Sequence, residues 1–272
     1  MVDGADSVRC ADTAADRIVF LGHATVLIEV EGVRLLTDPL LRERVAHLRR
    51  QVPALQESSF ANPDAVLISH LHHDHLDPSS LRRLGRDTRL IVPSGAGTWL
   101  ARKGFANVSE VAVGDVLEVG ELEITAVEAR HDGWRPGAPR AKALGYVASG
   151  RRVVYFAGDT ELFAGMGSFS PAPDVALLPV AGWGPKLGPG HMDPLDAARA
   201  VELLMPRLAI PIHWGTLLPI GLLRGHRARL GDPPRLFAEH VARLAPSVEV
   251  RVLAPGQETE LLWPQSSEPG GS

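Results

Sequence analysis

Ser69-His70-Leu71-His72-His73-Asp74-His75-Leu76-Asp77 places four histidines and two carboxylates in nine consecutive positions. The cluster ends the apolar run DAVLISH (residues 64–70), so it begins where a buried strand of ordinary length stops. Imidazole and carboxylate are the groups that ligate zinc and similar divalent ions, and ligands set at a strand end are held by a rigid scaffold. His70 and His72 are two residues apart and point the same way in extended backbone, so one ion can take both. Asp74 and His75 follow after the chain has begun to turn and face a neighbouring position. Asp77 before Pro78 reads as a helix N-cap with proline at the first helical position. A solvated loop with incidental histidines suits His73. It does not suit the others, because it leaves imidazoles at the end of a buried strand without partners.

Working outward, RIVFLGHATVLIEVEGVRLLTDP (residues 17–39) reads as a β-meander with a tight turn at Glu31-Gly32. Residues 40–63 read as helical or irregular. Later strand candidates are RLIVP, DVLEVG, LEITAVEA, ALGYVAS, RVVYFAG, VALLPV, RLAIPIH and VEVRVL. Helices are predicted over Ser79 to Leu84, Gly95 to Lys103, Pro194 to Leu204 and Arg235 to Leu244. Hairpins early and strand–helix alternation later suggest two sheets with helices outside them, rather than one doubly wound parallel sheet. Residues 1–16 and 264–272, small and polar, read as flexible tails around one domain spanning 17–263.

His70-Leu71-His72-His73-Asp74-His75 resembles the H-x-H-x-D-H signature of the metallo-β-lactamase fold superfamily. The rest of that family's pattern follows in order. A lone histidine stands at Arg130-His131-Asp132, an aspartate at Gly158-Asp159-Thr160, and a last histidine at His213-Trp214-Gly215. The resemblance implies an α/β fold, a four-layer αββα sandwich of two mixed sheets with outer helices. It also implies a seven-ligand centre for two divalent metal ions: His70, His72 and His131 on the first, Asp74, His75 and His213 on the second, and Asp159 between them. Ligands without cysteine suit zinc, with manganese, iron or nickel as alternatives. Gly22-His23-Ala24-Thr25, Leu36-Thr37-Asp38-Pro39, Gly190-His191-Met192-Asp193-Pro194 and His213-Trp214-Gly215-Thr216 are similar to one branch. That branch contains N-acyl-phosphatidylethanolamine-hydrolysing phospholipase D and the ascorbate-6-phosphate lactonases.

The implied activity is hydrolysis of a phosphodiester or of a lactone or other ester, with the metals generating hydroxide from a bridging water. Asp74 or Asp159 orients the nucleophile, and His191 binds substrate or protonates the leaving group; alternatively His191 only fixes the entrance of the helix begun by Asp193-Pro194. Asp38 and His23 are expected to orient metal-bound imidazoles or to serve plain turn chemistry. Trp134, Trp183 and Trp214 either line an apolar wall or pack in the core.

Composition narrows the alternatives. With 45% hydrophobic and 22% charged residues, 272 residues can bury a full core. The lone Cys10 forms no internal disulfide, and no apolar run approaches the ~18 residues of a membrane span, so a cytoplasmic setting is expected. A formal charge of −4 gives no general attraction to nucleic acid, which disfavours a nuclease of the same fold. A metal-binding regulatory module without turnover is the non-enzymatic alternative. The basic runs Arg42, Arg44, Arg49, Arg50 and Arg224, Arg227, Arg229 read as solvated faces. The second run, with the leucines around it, could instead receive an amphiphilic, lipid-like phosphate ester. Oligomeric state is not legible.

Overall fold

The meander forms as predicted in the computed structural model, which describes residues 15–183, 187–221 and 230–263. Most of both expected tails, and Arg224, Arg227 and Arg229, lie outside the described residues. Strands β1 (Arg17–Gly22), β2 (Thr25–Val30) and β3 (Val33–Thr37) pair antiparallel, with Ile18 opposite Ile28 and Leu27 opposite Leu36. Glu31 and Gly32 both take positive φ, 54° and 78°, as a two-residue hairpin requires. A short hairpin follows, β4 (Arg44–Val45) and β5 (Leu48–Arg50), then β6 (Ala65–Leu67), helix α1 (Pro78–Leu84), β7 (Leu90–Pro93), helix α2 (Gly97–Ala101) and β8 (Val108–Val111). Next come β9 (Val116–Val119), β10 (Leu122–Glu128), β11 (Leu144–Ser149), β12 (Val153–Phe156), β13 (Val175–Pro179) and helix α3 (Pro194–Leu204). The chain ends in β14 (Leu208–Ile212), β15 (Leu217–Pro219), helix α4 (Asp232–Leu244), β16 (Glu249–Val250) and β17 (Glu258–Glu260).

One mixed sheet runs β17-β1-β2-β3-β6-β7-β8 and the other β16-β14-β13-β12-β11-β10-β9. Alternate side chains explain the layers. In β1, Ile18 and Phe20 enter a core shared with Tyr146, Phe156 and Ile210 of the other sheet, while Val19 and Leu21 face Leu81 of α1 and Leu100 of α2. In β13, Val175 and Leu177 join the shared core, and Ala176 and Leu178 pack on Val201 of α3 and Phe237 of α4. Helices thus cover the outer face of each sheet, giving the αββα sandwich.

Strand direction gathers the site. β1 and β3 are both antiparallel to β2, and β6 is parallel to β3, so these three end at one edge. β10 and β12 are both antiparallel to β11, and β13 and β14 continue parallel to β12, so their ends also coincide. The Tyr146 hydroxyl joins the sheets under that edge, donating to the Ile68 carbonyl at 2.8 Å.

Two expectations need correction. Residues 40–63, expected to be helical or irregular, are mostly irregular with one short 3-10 turn at Glu57–Ser59, but they also hold the unexpected strands β4 and β5: β5 pairs with both β4 and β15 in a small third sheet, over Leu40, Val45, Leu48 and Leu217. Arg50 is no solvated cation either, since it is buried and donates to the carbonyls of Leu21, Leu40 and Pro53. Burial pulls its pKa down to about 10. Among the described residues no helix is long and apolar enough to cross a membrane.

Candidate metal centre

His70 and His72 follow β6, and His131 follows β10. Their ring nitrogens converge, with His70 Nε2 3.0 Å and His131 Nε2 3.1 Å from His72 Nδ1. The opposite nitrogen of each ring decides its tautomer. His72 Nε2 meets the Trp134 carbonyl at 3.1 Å and His131 Nδ1 the Gly190 carbonyl at 2.9 Å, so both must carry the proton there. His70 Nδ1 lies 3.0 Å from Ser69 Oγ, whose own proton goes to Asp38 Oδ2 at 2.5 Å, so this nitrogen is also a donor. Three acceptor lone pairs therefore face one another, an arrangement that repels unless a cation stands among them.

A second group stands beside it. His75 Nδ1 donates to Asp38 Oδ2 at 2.7 Å, and His213 Nδ1 donates to the Ala181 carbonyl at 2.7 Å. Their Nε2 atoms are left facing each other at 3.1 Å. Asp74 completes this group, with Oδ2 3.7 Å from His75 Nε2 and 3.9 Å from His213 Nε2. Tetrahedral zinc with bonds near 2.0–2.1 Å would place its ligand atoms about 3.3 Å apart, so both groups fit such an ion after small adjustments.

Asp159, after β12, lies between the groups. Oδ2 is 3.2 Å from His75 Nε2 and 4.0 Å from His70 Nε2, while Oδ1 is 3.3 Å from His213 Nε2. That nitrogen has no proton to offer, so the buried Oδ1 lacks a hydrogen-bond donor. Burial holds His70 well below the ordinary histidine range and brings His131 down to about 4 and His213 to about 3, so these rings are neutral, as ligands must be. Burial also opposes protonation of His75, yet Asp159, Asp74 and Asp38 outweigh it and raise its pKa well above normal. Against their own burial, Asp74 and Asp159 stay well below the usual carboxylate range beside these imidazoles. A proton on His75 Nε2 is therefore what a divalent ion would displace.

Gly158 shows how tightly this turn is built. Its φ is 61°, and a Cβ there would lie 2.5 Å from the Cβ of Ser69. A left-handed alanine costs roughly 1–2 kcal/mol and the overlap about 1–3 more. Gly158→Ala is therefore expected to lower stability by about 2–4 kcal/mol in urea unfolding and to reduce bound metal; a wild-type midpoint would contradict the packing.

The β-lactamase superfamily domain model matches residues 33–214, which contain all seven candidate ligands. The chain belongs to the β-lactamase superfamily. It is 36% identical to a metal-dependent hydrolase of Methanopyrus kandleri over 90% of this chain and 99% of the relative. It is 30% identical to N-acyl-phosphatidylethanolamine-hydrolyzing phospholipase D 1 of Caenorhabditis elegans, over 74% of this chain and 64% of that protein. Igni18, a metallo hydrolase of Ignicoccus hospitalis, superposes with a TM-score of 0.71 at 26% identity, over 92% of this chain and all of that one.

In this superfamily member the residues around the cluster divide by contact. His73 is exposed and accepts a hydrogen bond from Arg135 rather than facing the ligands. Asp77 caps α1, accepting from Ser80 N at 2.9 Å, with Pro78 at the first helical position. Asp38 orients His75 as expected, but His23 holds a carboxylate, its Nε2 lying 2.9 Å from Asp74 Oδ2. The His23 carbonyl accepts from His213 N at 2.7 Å, which ties the GHAT and HWGT motifs together. Asp193 caps α3, and His191 just before it sits with Nε2 3.4 Å from Asp159 Oδ2. Burial works against protonation of His191, but Asp159 and the Gly188 and Pro189 carbonyls raise its pKa. Trp214 packs in the core against Phe20, Trp183 covers the small third sheet beside His47, and Trp134 stays exposed. Sequence reasoning missed Arg135, buried and donating to the Leu76 carbonyl at 2.9 Å, which clamps the His131 loop onto the His70 loop.

Proposed function

We propose that this β-lactamase superfamily member is a binuclear metal-dependent hydrolase acting on a small-molecule phosphodiester. His70, His72 and His131 would hold one divalent ion and Asp74, His75 and His213 the other, with Asp159 reaching both. The observation that carries this reading is the opposition of the acceptor nitrogens of His70, His72 and His131 at 3.0–3.1 Å, with the outward nitrogen of each ring committed as a donor. The relative from Methanopyrus kandleri, named as a metal-dependent hydrolase, supports the activity class, and the phospholipase D relative supports the phosphodiester.

Bound there, divalent ions supply Lewis acidity and make water nucleophilic near neutral pH. The chain's own groups do the rest. His23 fixes Oδ2 of Asp74, and the orphaned Oδ1 of Asp159 has lone pairs free to orient an attacking water. Gly188 and Pro189 hold His191 Nδ1, so its Nε2 faces the site. That ring is also partly open to solvent, with 20% of its side chain exposed, which lets it meet a leaving group and return a proton.

The purified protein is expected to carry two equivalents of divalent metal and to cleave bis-4-nitrophenyl phosphate faster than lactones or thioesters. Chelation should lower turnover by roughly 100-fold or more, with recovery on adding zinc or manganese. Turnover untouched by chelation would sink the metal reading, and faster lactone cleavage would replace the phosphodiester.

A further inference from the structure

The loop between Glu128 of β10 and Leu144 of β11 does more than supply His131. Its inner side is fixed to the metal centre. Gly133 packs so closely on His70 that a Cβ there would lie 2.6 Å from the His70 Cβ, the Trp134 carbonyl holds His72, and Arg135 is buried. Its outer side carries a different chemistry. Trp134 is 39% exposed, the Arg140 guanidinium lies over its ring at 5.0 Å, and Lys142 is exposed beside them. Among the described residues neither Arg140 nor Lys142 forms an ion pair, although acidic residues outnumber basic ones over the chain, 32 to 28. Two adjoining cavities open here, of about 200 and 430 Å³, and Arg140, Ala141 and Lys142 line both. The smaller adds Asp132 and Trp134, and the larger has an apolar wall that includes Val111 and Val113. Asp132 is the one carboxylate lining either cavity, and its Oδ1 lies 3.3 Å from the backbone N–H of Trp134.

We propose that Trp134, Arg140 and Lys142 form a subsite beside the metal centre that binds a phosphate or carboxylate group carried on a flat or apolar stem. Arg140 offers a planar fork of donors to the anion, Lys142 a second positive charge, and Trp134 a ring face for the stem. The Trp134 ring already orients the guanidinium, which reduces the freedom lost on binding. Its place three residues after His131 makes it a specificity determinant: the anion is the part of the substrate remote from the bond being cut. That role rests on the hydrolase reading above, whereas binding of the anion does not.

The test uses metal-loaded protein and reads binding, not turnover. Phenyl phosphate, phenylacetate and neutral benzyl alcohol are titrated by calorimetry against wild type and the Arg140→Ala/Lys142→Ala double variant, with metal content measured for both. Wild type is expected to bind the anions at least tenfold more tightly than the alcohol. The double variant should lose at least tenfold in anion affinity while keeping its metal and its melting temperature. Whichever anion binds more tightly identifies the group the subsite takes. Equal anion affinities in the two proteins would place the anion on the metals alone and overturn the proposal, as would no preference over benzyl alcohol. A protein that binds anions as expected but hydrolyses nothing would sink the hydrolase reading and leave this one standing.

Discussion

Asp38→Ala is expected to destabilise the protein by about 3–5 kcal/mol, because it removes one buried carboxylate that three donors depend on. Asp38 is fully buried; Oδ1 accepts from Ser69 N at 2.7 Å, and Oδ2 accepts from Ser69 Oγ and His75 Nδ1. Burial raises the pKa of this carboxyl, while His75 and Ser69 oppose that rise, so its charge is tolerated only through these partners. Without it, His75 can turn, and Ser69 loses the acceptor that makes it an acceptor for His70. Both metal groups are then affected by a residue that lies in neither. Asp38→Asn separates shape from charge: a single carbonyl oxygen can serve Ser69 Oγ and His75, but the amide presents N–H to the N–H of Ser69. The asparagine variant should fall between wild type and alanine in urea unfolding, with metal affinity reduced roughly 10–100-fold. An alanine variant with wild-type stability and two bound ions would show that the tautomers are set some other way.

The reach of Asp38 also shows what a sequence can and cannot reveal here. The candidate ligands that the fold brings together were legible because each follows an apolar run of strand length, and the alternation of buried strands and amphipathic helices predicted both sheets. α3 was bounded correctly from Asp193-Pro194, since an N-cap and a proline are local signals. β4, β5 and β15 were not found. They span two or three residues, too few for a period, and Leu48 to Arg50 pair both with the neighbouring Arg44–Val45 and with Leu217 to Pro219 far along the chain. Arg50 was misread for the same reason, since its acceptors at Leu21, Leu40 and Pro53 are backbone carbonyls that no side-chain pattern announces. The ligand tautomers are equally hidden. They depend on the carbonyls of Trp134, Ala181 and Gly190, brought to the rings by the loops that follow β10 and β13.

The loop from Glu128 to Leu144 gave no signal of strand or helix, and its basic residues are too sparse to register as a charge run. In the fold, Arg140 and Lys142 stand together because β10 and β11 are paired neighbours and the intervening chain is pinned at His131, Trp134 and Arg135. The sequence offered Arg224 and Arg227 as anion-binding cations only as the alternative to a solvated face, and both lie outside the described residues. Charge reversal at each pair in turn measures the two contributions separately.

Asp159→Asn is expected to cost turnover roughly 10³-fold, about 4 kcal/mol of transition-state stabilisation, and to reduce bound metal from two ions toward one. The carboxylate is placed to do two things at once: Oδ2 and Oδ1 reach His75 and His213 in one group, and Oδ2 comes within 4.0 Å of His70 in the other. Asparagine keeps the volume and the turn begun by Gly158 but has one oxygen and no charge, so it can serve one ion at most. Its amide would point N–H groups toward nitrogens or a cation, whichever way it turned. Metal analysis beside kinetics separates the two functions, for loss of turnover with two ions retained would mean that Asp159 orients water without joining the metals. His73→Ala is the control. That exposed ring faces Arg135, which keeps the Leu76 carbonyl as an acceptor, so two ions and near-wild-type turnover are expected. If Asp159→Asn kept both ions and stayed within tenfold of wild-type turnover while His73→Ala failed, the assignment of the seven ligands would have to be redrawn around His73.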